Sequence, residues 1–382
     1  AGDTEYLRDH YANLIIETAL MLGYKTASNP YPGSLVMNPD MLGALQQGNV
    51  VNGMLRNADG SWVKVNVRAK LQNAIDYVYS KQASAAAAGY NLVLPADKPV
   101  LPADLTDDIK GWFQSQNWVV KTFGQDAIGF GWQLNLWAQG SSIWVHGMGG
   151  DKNKPHSEDS IWSESAGQVA AFLDFVGVYK GNYVPDFVVF DRYEFDDFRE
   201  AARNINYAYD AQDWANYLTF VQQVSDYVQR PAMLWQIPAS HLLTTGEAVP
   251  GSNYIALHAG TGGSYFMGDP LLGVGAVNAA ASMKTIPLNA QPYYAGKTNV
   301  GDWLNLNPSY DWTHDQLQRA INSNVFSILW GGGNTTGVIE TANTGNDGGW
   351  MLGRVQGYYL NGGGKPLTRS AASATAVGVK SK

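Results

Sequence analysis

Asp186-Phe-Val-Val-Phe-Asp191-Arg-Tyr-Glu194-Phe-Asp196-Asp197 is the stretch that decides how this chain folds. Its apolar half does not alternate with polar residues, so it reads as a strand covered on both faces, as in a parallel sheet or barrel. Its second half is a cluster of acids. Carboxylates at the C-terminal end of a buried strand are where barrel enzymes keep their chemistry. Asp191 and Glu194 are three residues apart, so on a continuing strand they would face opposite sides. A turn after Asp191 is needed to bring both to one cleft.

Helix and strand patterns alternate outward from this stretch. Upstream, apolar residues at helical spacing from Thr4 to Leu22 stop at Gly23, and Ser34-Leu-Val-Met-Asn38-Pro39-Asp40 reads as a short buried strand with an acid just past its end. A second helix spans Val65 to Gln82, residues 83–102 form an irregular excursion, and a short helix covers Asp107 to Ser115. Ala127 to Trp137 is strand-like, with Trp132, Gln133, Asn135 and Trp137 towards its end. A helix from Glu164 to Tyr179 leads into the acidic strand through Pro185.

Downstream, Asp210 caps a helix carrying Trp214, Tyr217, Leu218, Val221 and Val228 on one face. Strand Ala232-Met-Leu-Trp235-Gln236-Ile-Pro238 follows it. Thr313-His-Asp-Gln316 has the pattern of a capping box before another helix, and Asn324 to Gly331 is the next strand. This alternation predicts parallel strands with helices outside, in an α/β fold. The arrangement expected is a TIM-like (β/α) barrel, distorted or with fewer than eight regular strands, an open doubly wound sheet being the alternative. The missing strands are expected to be irregular, around Tyr254 to Met267, or to lie upstream of residue 1. Residues 1–361 are expected to form a single barrel domain and residues 362–382 a flexible tail.

Composition narrows the function. The net charge is −8, charged residues make up only 15%, and no basic run occurs, which argues against nucleic acid or an anionic membrane as partner. No segment is apolar and long enough for membrane insertion; even Leu14 to Leu22 is interrupted by Glu17 and Thr18. There is no cysteine, so neither thiolate metal sites nor a thiol nucleophile can form. The chain has 13 Trp and 21 Tyr, whose flat faces suit stacking on sugar rings. A first residue of Ala followed by Gly-Asp-Thr fits a secreted protein whose signal peptide has been removed.

Paired acids suit glycosidic cleavage, where one donates a proton while the other stays ionised. Asp191 and Glu194 lead the candidates, with Asp40 on another strand. Glu340, in the loop after the strand ending at Trp330, is the alternative nucleophile or base of a retaining enzyme. Trp132, Trp137, Trp235 and Trp330 are expected to stack on sugar, and Gln133, Asn135, Arg192, Gln236 and His241 to bind its hydroxyls. The six histidines show no metal-ligand spacing, so no metal and no cofactor are expected. The expected partner is a neutral polysaccharide. A non-catalytic carbohydrate-binding or surface structural protein on the same scaffold is the competing class.

The segment Leu35-Val-Met-Asn-Pro-Asp40-Met-Leu-Gly resembles the strand ending in Glu-Pro-Asp of glycoside hydrolase family 6 cellulases. Asn135-Leu-Trp, Phe187-Val-Val-Phe-Asp191 and Thr344-Gly-Asn-Asp347-Gly-Gly follow in a similar order, so the resemblance covers about half the chain. It implies a β-glucanase or cellulase in which Asp40 is the proton donor and Asp347 a candidate base. The chain departs from the family pattern in having Asn38 at the first position of the Pro-Asp motif and no Arg-Asp-Cys loop.

Overall fold

A computed structural model of the chain describes residues 4–139, 143–147, 160–192, 198, 200–248, 254–257, 259–331 and 347–361. The expected tail, 362–382, lies outside the described residues. Five strands, β1 (Gly33–Met37), β2 (Ile128–Asn135), β3 (Phe187–Asp191), β4 (Ala232–Ile237) and β5 (Val325–Trp330), form one parallel sheet in sequence order. Each strand pairs with the next, so the order lacks the reversal that defines a doubly wound sheet. The α/β class expected from the alternation is therefore found. Among the described residues the strands number five rather than the eight of a complete TIM barrel.

Every residue of β3 is buried, as its unbroken apolar run requires. It enters the sheet through Asp186, whose N–H donates to the Phe130 carbonyl at 2.8 Å while its carboxylate takes the Phe130 N–H at 3.1 Å and Lys121 Nζ at 2.5 Å. β2 can lie this close because residue 131 is glycine. A Cβ there would sit 2.6 Å from the Phe187 carbonyl oxygen, closer than any side chain tolerates. The β1–β2 register runs from Gly33 opposite Ile128 to Met37 opposite Trp132.

The chain divides into two compact units, one of residues 1–134 and 169–188, the other of residues 135–168 and 189–382. In the first, α1 (Thr4–Leu22) packs against α2 (Val67–Ala87) and α3 (Ile109–Gly124). Ile15, Leu71, Ile75, Val78, Phe113 and Phe123 are buried there, each worth about 1.5–3 kcal/mol against exposure. Asp108 N-caps α3 by accepting the Gly111 N–H at 2.9 Å, and the helix runs on past Ser115, the end expected from the sequence, to Gly124.

In the second unit α4 (Ala211–Val228) buries Trp214, Tyr217, Leu218 and Val221 of the expected face, while Val228, the last residue of the helix, is only half-buried. Asp210 caps it as expected, and Asp213 completes a reciprocal box: Asp213 N–H donates to Asp210 Oδ1 at 2.9 Å and Asp210 N–H to Asp213 Oδ2 at 2.8 Å. Two expectations fail in this unit. The stretch expected as an irregular strand holds helical turns, Tyr254–Leu257 and Gly262–Met267. No capping box forms at Thr313: its N–H and Oγ1 both turn back to Asp311 Oδ1, at 2.9 and 2.6 Å, and the helix begins at Leu317 without a side-chain cap. The Asx turn competes for the same donors and is closer in sequence.

Candidate functional site

Strand ends of the second unit carry the strongest constellation. Asn135, the last residue of β2, donates through Nδ2 to Asp191 Oδ2 at 2.8 Å, and both side chains are buried. A carboxylate and an amide thus meet where two neighbouring strands stop. Tyr217 approaches from α4, its hydroxyl donating to the Phe190 carbonyl at 3.0 Å. Burial, and next the nearby charge of Asp191, push the Tyr217 phenol well above its ordinary pKa, so it stays protonated.

β4 does not run straight past this point. Leu234 pairs with Ile328 and Ile237 with Trp330, so three steps of β4 oppose two of β5 and a bulge falls at Trp235 and Gln236. Gln236 takes a left-handed backbone, φ 53°, a conformation that a non-glycine residue adopts at a cost of about 1–3 kcal/mol and that clusters at functional sites. The Trp235 carbonyl accepts the Arg192 N–H at 3.2 Å, which ties the bulge to the end of β3. Trp235, Gln236 and, at the end of β5, Trp330 are half-buried. Trp137 is also half-buried, on the 3-10 turn Leu136–Gln139 that directly follows β2. These four keep some exposed surface at or just past strand ends.

Other expected site residues are placed differently. Trp132 is fully buried; its Nε1 donates to Asn117 Oδ1 at 2.8 Å and its ring packs edge-on against Phe113. It is a core residue, with no face left for a sugar. Arg192 is fully buried as well, its guanidinium 4.2 Å from the Tyr209 ring centre and hydrogen-bonded to the Tyr207 carbonyl. Aromatic rings, not substrate hydroxyls, surround this cation. His241 is buried between Tyr254 and Glu247: Nδ1 lies 2.8 Å from the Tyr254 hydroxyl and Nε2 2.9 Å from Glu247 Oε1, while the ring stacks on Trp350 at 4.4 Å.

The remaining acids divide. Asp40 belongs to the first unit, exposed just past β1 with a left-handed φ of 67°, and its Oδ1 accepts Gln133 Nε2 at 3.1 Å. Gln133 itself is buried. Asp347 is buried and accepts backbone N–H groups with both oxygens, Gly349 at 2.9 Å and Met351 at 2.8 Å, which makes it the cap of α5 (Trp350–Asn361). Glu194 and Glu340 lie outside the described residues.

Sequence reasoning missed one buried network altogether. His146 Nδ1 lies 3.1 Å from Asp213 Oδ1, its Nε2 is 2.7 Å from the Asn206 carbonyl, and Asp210 Oδ2 accepts Asn307 Nδ2 at 3.0 Å. Burial, and then the charge of Asp213, push the Asp210 carboxyl up to about 8. Burial drives the His146 pKa down, but the Asp213 carboxylate outweighs it and the net shift is upward. The only trace of this network in the sequence is the Asp210-Ala-Gln-Asp213 spacing at a helix start. Among the described residues no three His, Asp or Glu side chains form a group able to hold a metal ion, and no helix is long and apolar enough to cross a membrane. In comparisons with known proteins, no family model, no curated protein and no solved structure matches this chain.

Proposed function

We propose that this chain hydrolyses a neutral β-linked polysaccharide, glucan or cellulose, from strand ends of a distorted barrel-type α/β scaffold. The observation that carries this reading is the Asn135–Asp191 pair at 2.8 Å, with half-exposed Trp137, Trp235 and Trp330 on the strand ends of the same unit. Stacking surfaces hold a sugar ring, and an oriented carboxylate serves as nucleophile or as base towards water. In this scheme Asp191 is the ionised acid and Glu194 the leading proton donor. Gln236, turned out of the ladder by the bulge, bonds a substrate hydroxyl.

A second reading, a non-catalytic carbohydrate-binding protein, is favoured by the complete burial of Asp191, whose carboxylate already engages Asn135. Release of reducing sugar from a panel of neutral polysaccharides separates the two. The hydrolase reading expects activity in the intact protein and a loss of at least about 100-fold in Asp191→Asn. Glu194→Gln then tests the proton donor, and Asp40→Asn tests by itself the acid of the first unit. Equal activity in all three variants would remove the assigned site. No activity on any polymer, together with retained binding, would favour the second reading.

A further inference from the structure

His241, four residues past the end of β4, holds three segments of the second unit together from inside. Its Nε2 lies 2.9 Å from Glu247 Oε1 and its Nδ1 2.8 Å from the hydroxyl of Tyr254, the first residue of the helical turn Tyr254–Leu257. Its ring is parallel to that of Trp350, the first residue of α5, with the centres 4.4 Å apart. The other Glu247 oxygen accepts the Thr244 N–H at 2.9 Å and the Thr244 hydroxyl at 3.0 Å, which fastens the loop that carries it. Glu247 and Ala248 from this loop, with residues 347–350, 353 and 354 from the α5 segment, line an open cleft of about 550 Å³. The imidazole joins these two linings.

The hydrogen bonds favour the charged ring. The Tyr254 oxygen accepts the His241 N–H at 2.9 Å, and its single proton can go to the His241 carbonyl at 3.1 Å or to Nδ1 at 2.8 Å. An imidazolium removes the competition: Nδ1–H donates to the hydroxyl, the hydroxyl to the carbonyl, and Nε2–H to Glu247. A neutral ring protonated on Nε2 draws the hydroxyl proton to Nδ1 and away from the carbonyl. One protonated on Nδ1 turns a nitrogen lone pair towards a carboxylate. The positive charge also strengthens both remaining contacts, making the bond to Glu247 charge-assisted and the stack on Trp350 a cation–π contact.

Other charged groups stand around this contact. Arg354, one turn along α5, lies 5.0 Å from the Trp350 ring centre and donates to Oδ1 of buried Asp269 at 3.3 Å, while Asp347 caps the same helix. Burial pushes the Asp269 carboxyl upward, and the charges of Arg354, His241 and Glu247 all reach it. Burial raises the Glu247 pKa, but the bonds from His241 and Thr244 outweigh it, so the net shift is downward and the carboxylate stays ionised where histidines titrate. Protons reach the pair because the Glu247 side chain is 23% exposed, although His241 is fully enclosed. We propose that His241 is a pH-operated latch on the cleft. Protonated, it clamps the Glu247 loop, Tyr254 and Trp350 together; as pH rises and the ring loses its proton, residues 242–248 and the first turn of α5 loosen in concert.

Amide hydrogen exchange of the full chain, followed by mass spectrometry from about pH 5 to about pH 8.5 and corrected for the intrinsic rate at each pH, reads the latch without any substitution. Slow deuteration of the imidazole C2 position, measured in the peptide that contains His241, gives the pH at which this residue titrates. Exchange in residues 242–248 and 350–354 should quicken about tenfold across that pH, while peptides of α1 keep a constant corrected rate. Glu247→Gln keeps a hydrogen-bonding side chain but removes the counter-charge, so the titration of His241 and the step in exchange should move together to lower pH. Exchange that stays flat across the range overturns the proposal. So does a step at a pH other than that of His241, or one that Glu247→Gln leaves in place.

Discussion

His146 and Asp213 form a buried ion pair, Nδ1 to Oδ1 at 3.1 Å, and the other ring nitrogen of His146 meets the Asn206 carbonyl at 2.7 Å. Nδ1 faces a carboxylate and Nε2 a carbonyl, surroundings that favour the charged form of the ring. The upward shift of its pKa follows from this arrangement, and Asp210 beside it holds its proton to about pH 8.

The pH dependence of stability follows from these two groups. His146, raised in the folded state, contributes stability that is full below its unfolded pKa of about 6.5 and is lost as pH rises through its folded value. Asp210 acts in the same direction: the folded chain keeps a proton that the unfolded chain releases above 3.8, so stability drains as pH climbs from 3.8 to about 8. Asp210→Asn keeps a capping side chain but cannot titrate. Its melting temperature should gain on that of the wild type steadily as pH rises over this window, measured by calorimetry at several pH values; a constant difference would show that Asp210 does not hold its proton.

Gln236 separates backbone strain from side-chain function. Glycine adopts its φ of 53° without penalty, so Gln236→Gly should leave stability unchanged or raised by up to about 1 kcal/mol in urea denaturation, while Gln236→Val should lower it by about 1–2 kcal/mol. Under the proposed function both variants raise KM for the polysaccharide. A glycine variant as active as the wild type would leave the bulge with a purely structural role.

Asp347 is a capping group before it is anything else. Asp347→Ala should lose about 1 kcal/mol of stability with the cap of α5, and Asp347→Asn should keep most of it. If capping is its whole role, Asp347→Asn retains full hydrolytic activity. A loss of about 100-fold in that variant would instead assign it to proton transfer.

Gly131 sets the contact between β2 and β3. Gly131→Ala forces a methyl against the Phe187 carbonyl oxygen, which neither strand can vacate without breaking the ladder, and should destabilise the protein by about 1–3 kcal/mol or more. Denaturant titration measures it. A neutral substitution would mean that the strands separate more easily than their hydrogen bonds imply.

The sequence by itself determined what depends on near neighbours along the chain. The unbroken apolar run before Asp191 required a doubly buried strand, the spacing from Thr4 to Leu22 required the helix found there, and Asp210 announced the start of α4. The alternation of these elements was enough for a parallel α/β sheet. Only the tertiary structure decided which side chains of a strand end keep exposed surface. Trp132 and Trp235 look alike in sequence, yet Trp132 is sealed against Phe113 and Asn117 while a bulge leaves Trp235 half-exposed. Arg192 and His241 were drawn inward by Tyr209 and Glu247, partners with no fixed offset in the sequence. Thr313 lost its capping role because the Gln316 N–H, which a capping box would turn to the Thr313 hydroxyl, donates instead to the Phe266 carbonyl at 3.1 Å, fifty residues away in the chain. Burial and pairing are properties of contacts made across the fold, whereas periodicity and caps are local.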